Sequence, residues 1–190
     1  MSNNLAYQED FREEMINGAA VAMAPRPAWN HVSTAGNIYN IFANYLAGKR
    51  CTPIPDGLDL YLSEDNRFVP DFMVVCDPEK IQPDGVHGAP DLVAEVLSTS
   101  TAKNDRGPKM DAYAAAGVKE YWIVDTANRS VEIYLLSGDR YSLHEIYAIH
   151  PDHVLANMTE DERAAVPTEF KCSLFDDLAI QLDAIFARVI

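Results

Sequence analysis

Residues 91–125 read DLVAEVLSTSTAKNDRGPKMDAYAAAGVKEYWIVD, and this stretch decides the fold. Asp91 to Leu97 is a nearly continuous apolar run, as a strand buried on both faces requires, and a single carboxylate, Glu95, interrupts it. Ser98 to Thr101 form a polar exit. Asp105 to Ala116 predicts a helix, with Asp105 in the N-cap position and Pro108 confined to the first turn. Gly117 is the expected stop. Glu120 to Val124 (EYWIV) then returns to strand.

Upstream, Phe68 to Cys76 (FVPDFMVVC) is β-branched and nearly unbroken, which predicts one central buried strand. Leu58 to Leu62 alternates like a strand. Between Ala28 and Ala47 the residues Val32, Ala35, Ile38, Ile41, Phe42, Tyr45 and Leu46 recur at three and four, which predicts a helix with one buried face. Asn17-Gly18, between two short apolar stretches, predicts an N-terminal β-hairpin, and Pro25 and Pro27 break the pattern after it. Downstream, Val131 to Leu136 follows a turn at Asp125 to Ser130, and Tyr141 to Ile149 extends a meander. The polar segment from Asp152 to Val166 reads as loop, and Leu174 to Val189 as an amphipathic terminal helix. Hairpin, helix, strands, helix and strands make an α/β or α+β class with a central mixed sheet flanked by helices.

The chain has 190 residues, with 15 Lys and Arg against 29 Asp and Glu, a net charge of −14. A protein that holds duplex nucleic acid by general attraction carries a basic face, so avid non-specific binding is disfavoured. With 48% hydrophobic and 23% charged residues the composition is that of a globule, and one domain over 1–190 is expected. No apolar run reaches the roughly 18 residues of a membrane span. The opening MSNNLAYQEDFREEM lacks the order of an export signal, so a cytoplasmic protein is expected. Cys51, Cys76 and Cys172 show no CxxC or zinc spacing and read as three reduced, mostly buried thiols.

Chemistry enters through two carboxylates and a lysine. Asp71 follows Pro70 inside an apolar run, Glu95 interrupts the next long strand, and Lys109 lies on the helix beyond. Ionised carboxylates among apolar strands are costly unless paired or bound to a cation. Two on adjacent strands form an oxygen-rich pocket suited to Mg²⁺ or Mn²⁺, and a lysine arriving from the helix brings its ammonium to a nucleophilic water or a phosphate. These are the parts of metal-assisted phosphodiester hydrolysis. The same three residues also fit a turn cap, a solvated strand end and a surface lysine.

The stretches PDFMVVCDPEKI (Pro70 to Ile81) and GVHGAPDLVAEVLSTSTAKNDRGPKMDAYAAAGVKEYWIVD (Gly85 to Asp125) resemble the core of the Uma-two family, bacterial restriction endonuclease-like proteins with a domain of the PD-(D/E)XK nuclease type. The resemblance is close over about Pro70 to Val131 and weaker over most of the remaining chain. It implies a restriction endonuclease-like fold, a divalent-metal site and a DNA substrate. By motif, Asp71 answers to the Asp of the first half and Glu95 to the acidic residue of the second. The lysine expected two positions after Glu95 is replaced by Leu97, and the lysine of the DRGxK segment, Lys109, is its natural substitute. Glu14 resembles an acidic residue of the family's N-terminal segment and is expected to complete the metal site. His31 resembles a family histidine at the same place, either contacting substrate or serving as an ordinary helix-start residue.

Ser98 is placed to hydrogen-bond Glu95 or phosphate, or simply to cap a strand exit, and Arg106 to bind phosphate or stay a solvated surface cation. His87 reads as a loop-packing residue, and His144, His150 and His153 match no zinc spacing. A homodimer is expected if both strands of a duplex are cut. The alternative to a metal-dependent endonuclease is a catalytically degenerate nuclease fold serving as a nucleic-acid or protein interaction module, which Leu97 and the −14 charge favour. From Ser98 to Met110 three basic residues face one acid, a local +2 that predicts a small basic lip beside the acidic pocket.

Overall fold

A computed structural model describes residues 13–23 and 26–190. Pro25 and the first twelve residues, which carry the export reading, lie outside it. The described residues begin with the predicted hairpin, β1 (Glu13–Ile16) and β2 (Ala19–Ala22), closed by Asn17 and Gly18 at φ 51° and 76°. Two successive positive φ values are the two-residue turn whose twist suits a hairpin. Helix α1 (Trp29–Leu46) follows, and its buried residues Thr34, Ile38, Phe42 and Leu46 recur every four positions as one stripe.

Short strands come next: β3 (Thr52–Pro55), β4 (Leu60–Ser63), β5 (Asn66–Phe68) and β6 (Phe72–Val75). After a 3₁₀ turn at Pro78–Lys80 come β7 (Ile81–Gln82), β8 (Gly85–His87) and β9 (Leu92–Val96). Helices α2 (Ala102–Asp105) and α3 (Pro108–Ala116) lead to β10 (Glu120–Asp125), β11 (Ser130–Ser137) and β12 (Arg140–Ala148). The chain closes with α4 (Asp152–Leu155), α5 (Glu160–Ala164), the ribbon β13 (Glu169–Lys171) and β14 (Ala179–Gln181), and α6 (Leu182–Ile185).

The central sheet runs β12-β11-β10-β9-β6-β3 and is mixed, with β9 and β10 parallel and every other pair antiparallel. Because α2 and α3 bridge the parallel pair, they bring side chains to the end of β9. Alternate residues of the sheet enter two cores. Phe72, Val74, Leu92, Ala94, Trp122 and Val124 meet α1 and the C-terminal segment, while Met73, Val75, Val93, Tyr121 and Ile123 meet Tyr113 of α3 and the second sheet. Burial on both faces is why the strands read as continuous apolar runs. It also puts Glu95, between Ala94 and Val96, on the α3 side.

A second six-stranded sheet, β2-β1-β5-β4-β8-β7, was not foreseen in the sequence. The predicted strand from Phe68 to Cys76 is in fact two. Val69-Pro70-Asp71 separates them, and β5 joins the hairpin's sheet while β6 joins the central one. Pro70 has no N–H to give a ladder, so the chain changes sheets there. Gly85 sits where this second sheet crowds: at φ 155°, a Cβ would lie 2.4 Å from the Asp59 carbonyl oxygen and 2.9 Å from Tyr61. Gly85→Ala is expected to cost about 2 kcal/mol or more, read as a shift of the urea midpoint at constant slope.

Other expectations change as well. The helix predicted from Asp105 to Ala116 is broken at Arg106-Gly107. Gly107, not Asp105, precedes α3, because a Cβ at 107 would come within 3.0 Å of the Lys103 carbonyl oxygen. Gly117 does end α3, at φ 93°. The segment from Asp152 contains α4 and α5, the latter started by a Thr159–Glu162 capping box. Leu174 to Val189 is not one helix; only α6 is helical there, after β14. Cys51 and Cys76 are not free thiols. They flank the antiparallel β3–β6 pair with Cα atoms 3.9 Å apart and form a disulfide, while Cys172 is buried and free. Sequence separation hid this, because pairing two strands brings distant cysteines opposite each other. No helix among the described residues is long and apolar enough to cross a membrane.

Candidate active site

The segment that changes sheets also builds the site. Its free backbone donors are taken by carboxylates: Val69 N–H donates to Glu14 Oε1 at 2.9 Å, and Asp71 N–H points to Glu95 Oε2 at a longer 3.4 Å. In return Asp71 Oδ2 accepts the N–H of Val96, beside Glu95, at 2.7 Å. The start of β6 and the end of β9 are thereby tied to each other through the two carboxylates. The structure thus brings Asp71 and Glu95 together, with Glu14 arriving from β1 of the other sheet.

Lys109 enters from the first turn of α3. Its Nζ lies 2.6 Å from Glu95 Oε1, 3.0 Å from Glu14 Oε1 and 3.6 Å from Asp105 Oδ1. Tyr113, one helical turn later, donates its hydroxyl to the same Glu95 Oε1 at 2.7 Å. His31 Nε2 is 3.2 Å from Asp71 Oδ2. Glu95 and Lys109 are each only 3% exposed and Asp105 2%, so the cluster meets solvent mainly at Asp71 and His31.

Three carboxylates, Glu95, Glu14 and Asp105, therefore surround one ammonium, with Asp71 and its imidazole partner at the edge. Burial pushes the Glu95 carboxyl well above the usual range; Lys109 pulls it back, but Asp105, Asp71 and Glu14 add to the rise. Burial also raises Asp105, against Lys109. For Lys109 burial works downward, yet Glu95, Glu14 and Asp105 outweigh it, and the ammonium is held charged beyond the ordinary lysine range. Burial lowers the His31 pKa, but the hydrogen bond and charge of Asp71 more than reverse that. Burial, then Glu95, keeps the Tyr113 hydroxyl protonated.

This donor set fits a hard divalent cation. Every carboxylate is an oxygen donor, and buried negative charge exceeds the charge available to balance it. Among the described residues no three His, Cys, Asp or Glu side chains already converge as a cation cage. Asp71, Glu95 and Glu14 are the groups that would hold such an ion.

Asp105 and Tyr113 were missed. The signal was present as Asp105, Lys109 and Tyr113 at successive intervals of four, one helical face, but reading Asp105 as an N-cap concealed it. Conversely, Ser98 and Arg106 stay outside the cluster. The Ser98 hydroxyl lies 3.0 Å from those of Ser100 and Thr101, and Arg106 makes a two-pronged pair with Glu132 at 2.7 Å per bond. Arg106→Ala should accordingly cost no more than about 1 kcal/mol, measured by denaturant melting. The expected basic lip is thereby corrected: Lys109 is interior and Arg106 is paired, so of the local cations only Lys103 stands outside these contacts. His87 stacks on Tyr61 with ring centroids 4.6 Å apart and lies 3.1 Å from Asp84.

A cavity of about 480 Å³ lies elsewhere, between β11, β12 and the C-terminal ribbon. Its buried Glu120 already accepts from the Trp122 indole at 2.6 Å and the Ser173 N–H at 2.9 Å. That carboxylate is a structural brace.

A mixed sheet whose parallel pair is bridged by a lysine-bearing helix, with one carboxylate on β9 and another just ahead of β6, has the restriction endonuclease-like arrangement. The model of the Uma2 family, described as "Putative restriction endonuclease", matches residues 3–167. The chain belongs to this family. Among its relatives, "Uncharacterized protein slr1290" of Synechocystis sp. is 30% identical over 139 residues, 71% of this chain and 73% of that protein. "Uncharacterized protein sll1609" of the same organism is 29% identical over 133 residues, 68% and 75% of the two chains. The crystal structure of a "putative nuclease belonging to DUF820" from Anabaena variabilis shares the fold, with a TM-score of 0.69 over 94% of this chain and 91% of that one at 17% identity.

Proposed function

We propose that the protein is a divalent-metal-dependent DNA endonuclease whose site consists of Asp71, Glu95, Glu14 and Lys109. The observation that carries this reading is the convergence on Glu95. Its carboxylate receives Lys109 from α3 at 2.6 Å while facing the backbone N–H of Asp71, just ahead of β6, at 3.4 Å. Membership of a restriction endonuclease family supports the reaction class.

A bound Mg²⁺ or Mn²⁺ would polarise a phosphoryl oxygen and make its water acidic. Asp71, Glu95 and Glu14 would hold that ion. Lys109 and Tyr113 both occupy Glu95 Oε1 and so turn Oε2 toward Asp71, fixing which oxygen is presented. The ammonium of Lys109, kept charged by its neighbours, offsets negative charge that develops on the phosphoryl group. His31 restrains Asp71 Oδ2 from the solvent side and stands where a substrate phosphate would approach. Lys109 supplies from the helix the cation that Leu97 cannot supply from the strand.

The test is cleavage of DNA with Mg²⁺ or Mn²⁺ against the same mixture with EDTA. Cutting should require the ion and fall at least about 100-fold in Asp71→Asn, with circular dichroism unchanged. Cutting in EDTA, or full activity in Asp71→Asn, would exclude the mechanism.

A further inference from the structure

A groove of about 180 Å³ runs along the solvent side of α1 and ends on Asp71. Val32, Ala35, Gly36 and Tyr39 form its helical wall, Pro55 and Asp56 face them, and His31 and Asp71 stand at its inner end. Trp29 stands one turn before Val32 on α1, with its indole N–H donating to the Arg188 carbonyl oxygen at 2.9 Å. Trp29 is 56% exposed and Val32 49%, so two of the largest apolar exposures in the described residues lie beside the acidic cluster. Gly36 is a helix-interior glycine with open space where a Cβ would be. Glycine there lowers helix stability relative to alanine, and what it leaves in exchange is room in the groove.

We propose that this groove receives an unpaired base next to the scissile phosphate, so that the enzyme acts on single-stranded or frayed DNA in preference to intact duplex. This rests on the nuclease reading above. The occupant follows from chemistry. The walls are aromatic and aliphatic, which suits the face of a base and not a phosphate; stacking on such side chains binds single strands without regard to sequence. The carboxylates of Asp56 and Asp71 at the rim disfavour a phosphate lodged in the groove itself. A base held in a duplex stack is paired and covered, and cannot enter without being turned out. The net charge of −14 agrees, because a long duplex footprint needs a basic face.

Fluorescence makes this testable. Of the two tryptophans, Trp122 is fully buried and Trp29 is exposed one turn before Val32, so emission changes report binding at that end of α1. The probes are a 12-nucleotide oligothymidylate and a 12-base-pair duplex, titrated in EDTA and followed by Trp29 quenching and anisotropy, with cleavage then measured in Mn²⁺. Wild type should bind and cut the single strand about 10-fold better than the duplex. Gly36→Leu fills the groove with a better helix former, so it should fold at least as well while losing about 10-fold of single-strand binding. Trp29→Ala should weaken binding in the same direction. Equal handling of both forms by wild type, with Gly36→Leu unchanged, overturns the groove while leaving the nuclease reading intact. No cutting of either form in Mn²⁺ overturns the nuclease reading and the proposal with it.

Discussion

Lys109→Met should lose about 3–5 kcal/mol of folding stability, the cost of breaking a buried charge pair by removing one partner. Methionine keeps the length and apolar stem, so packing against Phe68, whose ring centre is 5.5 Å from Nζ, survives. What disappears is the only ammonium among the described residues within 4 Å of Glu95, Glu14 and Asp105. Three carboxylates, each at most 8% exposed, then face one another with no cation. Guanidinium or urea melts measure the loss. Part of it should return at lower pH, where the carboxyls protonate, and part with millimolar Mn²⁺, which supplies the missing positive charge. In an assay of cleavage the same variant should lose turnover far more than metal affinity. A loss below about 1 kcal/mol would mean that Lys109 is not the counter-charge of the cluster.

Glu95→Gln should separate activity from stability. Cleavage is expected to fall at least about 100-fold, yet the melting temperature should hold or rise. The amide still accepts from Tyr113 and Lys109, and Lys109 keeps Glu14 at 3.0 Å. Removing the Glu95 charge also relieves the repulsion and burial that raise its pKa. Because the folded-state pKa values of Glu95 and Asp105 lie above their unfolded ones, folding takes up protons. The stability they contribute is complete below the ordinary carboxylate range and is lost as pH rises through the folded values. Wild type should therefore lose melting temperature as pH rises above the ordinary carboxylate range, and the double variant Glu95→Gln with Asp105→Asn should lose most of that slope. Asp91 runs the other way, since Lys119 and the Cys76 N–H outweigh its burial and hold it low. It matters only under more acid conditions. A flat profile in wild type, or a melting temperature that drops by several degrees in Glu95→Gln, would contradict this account.

The sequence carried the hairpin, the long helix and the strands of the central sheet, because each has a local cause: Asn17-Gly18, the four-residue stripe of α1, the doubly buried runs of β9 and β10. It also singled out Asp71 and Glu95, since charge inside an apolar run is visible without coordinates, while Lys109 came from the resemblance of its DRGxK segment. What stayed hidden depends on partners far along the chain. The split at Pro70 shows only when β5 and β6 are seen in different sheets. The apparent terminal helix dissolves because Leu178 and Ile180 are claimed by the core beneath α1 as loop and strand, which leaves only Leu182–Ile185 helical. Asp105 looks like a helix cap until the break at Gly107 turns it inward. The Cys51–Cys76 link required the β3–β6 pairing, which no spacing rule encodes.

The three residues Val69-Pro70-Asp71 have a consequence for how this protein can be inactivated. Glu14 belongs to one sheet and Glu95 to the other, and both fasten to this short bridge. The cluster thus acts as a rivet through two plates. Any slippage of one sheet over the other pulls Glu14 away from Lys109 before either sheet has lost a strand. Chemistry and the cohesion of the two layers should fail together, at denaturant concentrations below those that melt the sheets themselves.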